Sequence, residues 1–313
     1  MSGSGSSSES VREFILLGFS CNREIQVVLF MFFSIVYLLT LVGNGAIISA
    51  VCWDQHLHTP MYILLGNFAF LEIWYVNSTV PNTLINFLSE TKTISITGCF
   101  LQLYFFFSTG STECFFLSAM AFDRYFAICH PLHYGTLMTG QCCFNQVISC
   151  WVCGFLWYLV PVILIFQLPF CGPNSIDHFV CDSGPLLTLP CAPAPVSKLI
   201  SYTLSSLIIL LSFFFSSSPM SWFYLLCFCC PQHLVSIKPF QRADPICLWC
   251  CYSTGPLWWC MWALDTATLP WCQRSWPCSM QWWLHSSTLW FIVSGIRKWK
   301  MLSGKFWKSL KFL

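Results

Sequence analysis

The sequence predicts an all-α, polytopic membrane helix bundle, and three observations carry that prediction. Only 8% of the 313 residues are charged, 56% are hydrophobic, and the mean hydropathy is +0.66. A soluble domain carries about 25% charged residues because its surface faces water, so lipid must form part of this chain's solvent. The apolar residues are gathered into long stretches parted by short polar segments. The net charge of +2 offers no footprint for a nucleic-acid partner.

No charged residue lies between Glu24 and Asp54, so Ile25 to Val51 is long enough to cross a bilayer. A second stretch opens at Pro60, a residue suited to a first helical turn. It runs from Met61 to about Val80, with one acid, Glu72. The third, about Cys99 to Met120, also holds one acid, Glu113. Val147 to Phe166 and Ile200 to Phe215 complete five predicted spans. The polar segment Met1 to Ser10 lacks the basic-then-apolar pattern of a cleaved leader, so the first span is expected to act as the membrane signal. Loop charges leave the orientation open, because Arg12 and Arg23 precede the first span while Cys52 to Thr59 has neither Lys nor Arg.

After about Phe215 the pattern changes. Twelve of the 16 Trp fall in the last 98 residues, with nine of the 14 basic and two of the 12 acidic residues. No long apolar run with helical periodicity follows. The expected organisation is an extracellular segment 1–24, five spans with their loops over 25–215, and an aberrant Trp/Cys-rich tail over 216–313.

The string MAFDRYFAICHPLHY, Met120 to Tyr134, resembles the end of the third helix in odorant receptors, a family of rhodopsin-like G-protein-coupled receptors. So do Gly43-Asn44-Gly45, the run LHTPMY from Leu57 to Tyr62, and the spacing of Cys99, Cys171, Cys181 and Cys191. The resemblance covers about Glu13 to Leu211. It implies a seven-transmembrane receptor fold of which only helices one to five are clearly encoded. It also implies an extracellular N-terminus, residence in the plasma membrane, a small volatile odorant as ligand and a heterotrimeric G protein as partner. Two features depart from the family. The N-terminal 24 residues hold no Asn-x-Ser/Thr, leaving only Asn77-Ser78-Thr79, and the motifs of helices six and seven are missing.

In such a receptor Asp123-Arg124-Tyr125 meets the cytosol: the acid holds the arginine at rest, and the arginine turns to the G protein on activation. An ion pair at a membrane edge is only modestly favourable, so a partner can exchange it. With the orientation set by the resemblance, Glu72 lies eleven residues above Met61 and Glu113 eleven before Arg124. Both carboxylates then sit about 16 Å above the cytosolic face. Two acids at one depth in hydrocarbon are costly. They share a proton or coordinate a cation through oxygen, and the resemblance implies sodium.

On span three, Leu103, Phe106, Phe107, Gly110 and Ser111 follow one helical face. Two aromatics, a space-giving glycine and a hydroxyl suit a small, mostly apolar ligand; a packing stripe would show the same spacing. Thr203, Ser205 and Ser206 on span five are weaker candidates. Four cysteines in an oxidising compartment allow three connectivities; the resemblance selects Cys99–Cys181 and Cys171–Cys191. His178 beside Cys181 makes a poor metal site, since a disulfide cysteine supplies no thiolate. Cys150 and Cys153 lack a neighbouring base or cation and read as packing. No second ligand pair at zinc spacing follows Cys227, Cys229 and Cys230. No catalytic set or phosphate loop is present, so an enzyme is not expected, and no cofactor beyond the sodium ion. The broken helices of a transporter are not seen.

The expected function is odorant detection with G-protein signalling, impaired in this product; the competing reading is a frameshifted, non-signalling membrane protein retained in the endoplasmic reticulum. The tail supports a shifted frame. Tryptophan has one codon, so Trp258-Trp259 is TGGTGG, and read one base earlier the second becomes GTG, valine. The same shift over Ser286 to Met301 forces Val from Trp290-Phe291 and permits LFNPVVYSLRNKEMED, which resembles the seventh-helix end of odorant receptors. Sequencing the coding DNA across codons 205 to 240 should reveal a single-base offset that restores two apolar spans ending in Asn-Pro-x-x-Tyr. A frame that restores neither span refutes the shift.

Overall fold

A computed structural model describes residues 13–16, 22–89, 92–170, 175–176, 180–191 and 195–229. It is an all-α bundle closed at one end by a small sheet. The long helices are α1 (Arg23–Trp53), α2 (Pro60–Leu88) and α3 (Ile96–Cys129), with a short 3-10 turn, Gln55–Leu57, between the first two. Short α4 (Pro131–Leu137) leads to α5 (Gly140–Trp157) and α6 (Leu159–Phe166). A four-residue turn of helix, α7 (Ser183–Leu186), precedes α8 (Pro195–Cys229). Among the described residues, four helical stretches are long and apolar enough to cross a membrane: α1, α2, α5 with α6, and Pro195–Ser212 of α8.

Helix α3 is longer than most of these, at 34 residues, but its Glu113 and hydroxyl residues dilute its hydropathy. Its place in the bundle compensates. Ser108 and Thr112 are fully buried, and α3 packs against α2, α5 and α8. Helix α1 is the opposite case. Only Thr40 and Asn44 are buried along its 31 residues, while Val28 and Val42 are exposed by 66% and 70%. An apolar surface of this kind is stable only against lipid.

Local chemistry sets the helix ends. Ser95 caps α3 by accepting from the Gly98 N–H at 3.1 Å, and Thr139 caps α5 by accepting from Cys142 N–H at 3.3 Å. Pro60 opens α2, while Pro81 lies inside it, where its ring removes the N–H that would reach the carbonyl four residues back. The helix runs on to Leu88, so span two is longer than the sequence suggested. Asn77 therefore lies well within α2. Its Nδ2 donates to the Ile73 carbonyl at 2.7 Å and its Oδ1 accepts from Tyr37 at 2.6 Å, an inhospitable place for glycosylation. Span four is broken at Tyr158, three residues before Pro161. Helix α8 continues beyond the expected limit at Phe215 to Cys229.

The sequence reading contained no strands, and the sheet is a difference that only long-range pairing explains. Strand β1 (Glu13–Leu16) sits between β2 (Thr93–Ser95) and β3 (Ser175–Ile176). It is antiparallel to β2, with Phe14 opposite Ile94, and parallel to β3, with Leu16 opposite Ile176. Phe14 and Leu16 point inward, each 1% exposed. They join Cys99, Phe100, Leu103, Tyr158, Ile165 and Leu186 in one apolar core. A second core, around Leu64, Phe68, Phe116, Leu117 and Met120, ties α2, α3 and α5 together at the other end.

Helix α3 approaches α5 closely at Gly154. A Cβ added at Gly154 would stand 2.6 Å from the Thr112 Cα, a backbone atom that cannot swing aside. Gly154→Val should therefore destabilise the bundle by about 1–3 kcal/mol, the usual cost of overpacking. Gly110→Ala, whose Cβ would meet nothing within 4 Å, serves as control. Thermal unfolding of the detergent-solubilised chain reads both; equal melting temperatures for the two variants would contradict this packing.

Candidate functional site

The two ends of α3 hold most of the residues singled out by sequence. At the top, the Cys99–Cys181 disulfide is present, with Cα atoms 5.4 Å apart. Gln102, one turn below Cys99, reinforces it: its Nε2 donates to the Ser78 carbonyl at 3.3 Å, and its Oε1 accepts from the Cys181 N–H at 3.4 Å. The tip of α3, the loop after α6 and α2 are thereby held together. Cys191 is also disulfide-bonded. Its expected partner Cys171 lies outside the described residues, as do His178, Cys230 and the remainder of the tail.

At the other end Asp123 is fully buried and doubly held. The Arg124 guanidinium donates to one carboxylate oxygen at 2.7 Å, and the Tyr134 hydroxyl donates to the other at 2.7 Å. Tyr134 belongs to α4, so the acid is gripped from its own helix and from the adjoining short helix. Arg124 is a quarter exposed, and its Nε has no hydrogen-bond partner. Among the described residues, Asp123 is the ion-pair partner of the guanidinium. Tyr125 turns away, its Oη 3.5 Å from His130 Nε2 and its ring stacked edge-on to the imidazole at 5.6 Å. Beneath α4, the Cys143 thiol donates to the Pro60 carbonyl at 3.7 Å and joins α5 to the start of α2.

Midway, Glu72 and Glu113 are 4% and 9% exposed. The carboxylates lie within electrostatic reach of each other and of the Tyr75 hydroxyl. Tyr75 Oη and Ser108 Oγ are buried without hydrogen-bond partners. Among the described residues, no three His, Cys, Asp or Glu come together as a metal cluster. A cation here would rely on the two acids with hydroxyl or carbonyl oxygens, a donor set that fits a hard cation.

The α3 face of ligand candidates divides in space. Leu103 is fully buried in the apolar core beneath the small sheet. Phe106 leans on Tyr75 of α2, with ring centroids 5.1 Å apart. Phe107 turns to the α5–α6 break and stacks on Tyr158 at 4.3 Å and 8°. Gly110 leaves open space. Ser111 donates to the Phe107 carbonyl at 2.8 Å and keeps its lone pairs for another donor. On α8, Thr203 is exposed and bonded to its own helix at 2.7 Å, while Ser205 and Ser206 are both half-buried.

Sequence reasoning passed over Tyr134, Tyr75, Tyr158 and Gln102. Tyr134 closes the very string that carries the resemblance, but nothing local says that its hydroxyl folds back eleven residues. Burial, and then the hydrogen bond to Asp123, raise the Tyr134 pKa well above the usual tyrosine value. A raised folded value means stability that is complete below the unfolded pKa, about 10, and is lost as pH climbs through the folded one. The alkaline fall in stability should therefore be shallower in Tyr134→Phe than in the parent, in unfolding titrations from neutral pH upward. Superimposable alkaline limbs would mean that Tyr134 does not grip Asp123.

Known proteins share this arrangement of sequence. The family model of seven-transmembrane receptors, rhodopsin family, matches residues 43–245. Human olfactory receptor 11H6 is 66% identical over 199 residues, covering 64% of this chain and 60% of the relative. Human olfactory receptor 11G2 is 61% identical over 212 residues, or 68% and 61% of the two chains. Human olfactory receptor 11H4 is 59% identical over 221 residues, or 71% and 67%. The chain thus spans about three fifths of the length of the first two of these relatives.

Proposed function

The chain belongs to the olfactory receptors of the rhodopsin family, a receptor and not an enzyme class, and from that premise we propose odorant detection coupled to a heterotrimeric G protein, impaired in this product. The observation that carries the proposal is the lock at the cytosolic end of α3. Asp123 is held by Arg124 and Tyr134, while the guanidinium is tied at a single point. Such a pair is weak enough to be exchanged for a protein partner without unfolding the helix. The α3 residues Phe106, Phe107, Gly110 and Ser111 line the ligand side. Movement there passes down a helix whose centre is anchored by Glu72 and Glu113, which would hold a sodium ion in the resting form. The receptor would lie in the plasma membrane with β1 outside.

The competing reading, a frameshifted membrane protein that inserts but does not signal, draws on a separate observation. Identity to the relatives extends over 199 to 221 residues, and the apolar periodicity ends soon after Phe215. Retention in the endoplasmic reticulum would follow, because a bundle missing its closing helices leaves polar groups facing lipid.

Both readings are tested by a chain whose frame is restored after Leu211, expressed beside the present one and scored for G-protein activation across an odorant panel. The restored chain should respond and the present chain should not. Arg124→Ala in the restored chain should abolish the response at unchanged surface level. Glu113→Gln should remove the sodium dependence of its basal signal. A restored chain that stays silent at the cell surface contradicts the receptor proposal, and unchanged sodium dependence contradicts the cation site.

A further inference from the structure

Among the described residues, the end of the bundle that holds Asp123 carries its exposed basic groups as histidine. Between Arg23 and Lys92, and again between Arg124 and Lys198, the chain has neither Lys nor Arg. The segment joining α1 to α2 holds His56 and His58, and the segment joining α3 to α5 holds His130 and His133; all four are exposed. The Cys143 thiol donates to the Pro60 carbonyl at 3.7 Å. The start of α5 therefore lies against the start of α2, and both segments share one end of the bundle. Among the described residues no three His, Cys, Asp or Glu gather as a metal site, so the imidazoles form a spread surface. Little negative charge opposes them. The Asp54 carboxylate accepts from the His56 backbone N–H at 2.9 Å. Asp123 is fully buried between Arg124 and Tyr134. The remaining titratable side chains on the adjoining elements are Cys52, Tyr62, Tyr125, Tyr134, Cys142 and Cys143, thiols and phenols rather than carboxylates. Trp53, the last residue of α1, is 85% exposed. Tryptophan is enriched where a membrane meets water, which puts the neighbouring His56 and His58 at headgroup level.

We infer that His56, His58, His130 and His133 form a surface that holds anionic phospholipid headgroups when the imidazoles are protonated. A lipid fits the place because both pairs adjoin the ends of membrane-spanning helices, with Trp53 at the boundary. Histidine is the side chain that ordinarily gains its charge between pH 5 and 8. The surface thus changes from nearly neutral to strongly positive as pH falls, and an anionic headgroup is drawn to basic groups within a Debye length. A protonated imidazole donates from both ring nitrogens, which suits the oxygens of a phosphodiester. A zwitterionic headgroup brings its own cation to the same place and gains less. On the odorant-receptor reading this end faces the cytosolic leaflet; the attraction itself needs only the histidines and the membrane boundary.

The test uses the full chain in detergent micelles and native mass spectrometry, with phosphatidylglycerol and phosphatidylcholine added in equal amounts at pH 5.5 and at pH 7.5. The phosphodiester of phosphatidylglycerol stays singly charged across that interval, so a change with pH reports the protein. For the first bound lipid, the ratio of phosphatidylglycerol to phosphatidylcholine adducts should rise about fivefold at the lower pH, the effect of one basic residue beside an anionic headgroup. His56→Gln with His58→Gln, and His130→Gln with His133→Gln, should each diminish the rise, and all four together should abolish it. Glutamine at His178, His233 and His285, the other histidines of the chain, should leave it intact. An unchanged melting temperature and an intact Cys99–Cys181 bond show that each variant is folded, and the two double variants carry the test if the fourfold one is not. A ratio indifferent to pH, a rise that survives substitution of the four, or a rise lost in the threefold control would each overturn the surface. None of these outcomes touches the receptor reading, which stands or falls on G-protein activation by the restored chain.

Discussion

Helix α3 carries acids and hydroxyls through a layer that cannot solvate them, and the bundle is arranged around that constraint. Ser108, Thr109, Thr112 and Glu113 are all within the buried set, because a polar side chain facing acyl chains has no partner at all. Thr109 and Thr112 donate back to carbonyls of their own helix at 2.6 Å and 2.8 Å, which settles those groups locally. Glu113 lies within electrostatic reach of Glu72. Helices α2, α5 and α8 surround α3, and α1 is left outermost with an apolar surface for lipid.

The same constraint bears on why the candidate functional residues gather at the two ends and the middle of a single helix. The disulfide at Cys99 and the Gln102 bridge hold one end, Glu72 and Glu113 are buried midway, and Asp123 is held at the other end. Between these fixed points the side chains of α3 contact α2 through Phe106 and the α5–α6 break through Phe107.

Much of the candidate site stands out in the sequence because chemistry in hydrocarbon is scarce. Glu72, Glu113 and the Asp123-Arg124-Tyr125 triplet stand out against apolar neighbours, and a charge that survives there is rarely without a role. The cysteine pairing needed the family resemblance to choose among three connectivities. Tyr134, Tyr158 and Gln102 were missed for a common reason. Tyrosine and glutamine are unremarkable in sequence, and each matters here only through a partner on another element. The strand Glu13–Leu16 escaped notice likewise, since four residues alternating inward and outward carry no signal until β2 and β3 close on both sides.

The sequence by itself determined that this chain lives in a membrane, where most of its long helices run, which residues carry charge inside them, and where its apolar pattern ends. Those are properties of composition and period, decided by the transfer of side chains between water and lipid. The tertiary structure decided that Tyr134 rather than Tyr125 grips Asp123, and that Phe106 and Phe107 turn to different helices. It also decided that span two passes through Pro81, because a tertiary setting can compensate for one missing helical hydrogen bond. Pairings of this kind depend on how helices cross, and residues far apart in the chain learn of each other only when the bundle brings them together.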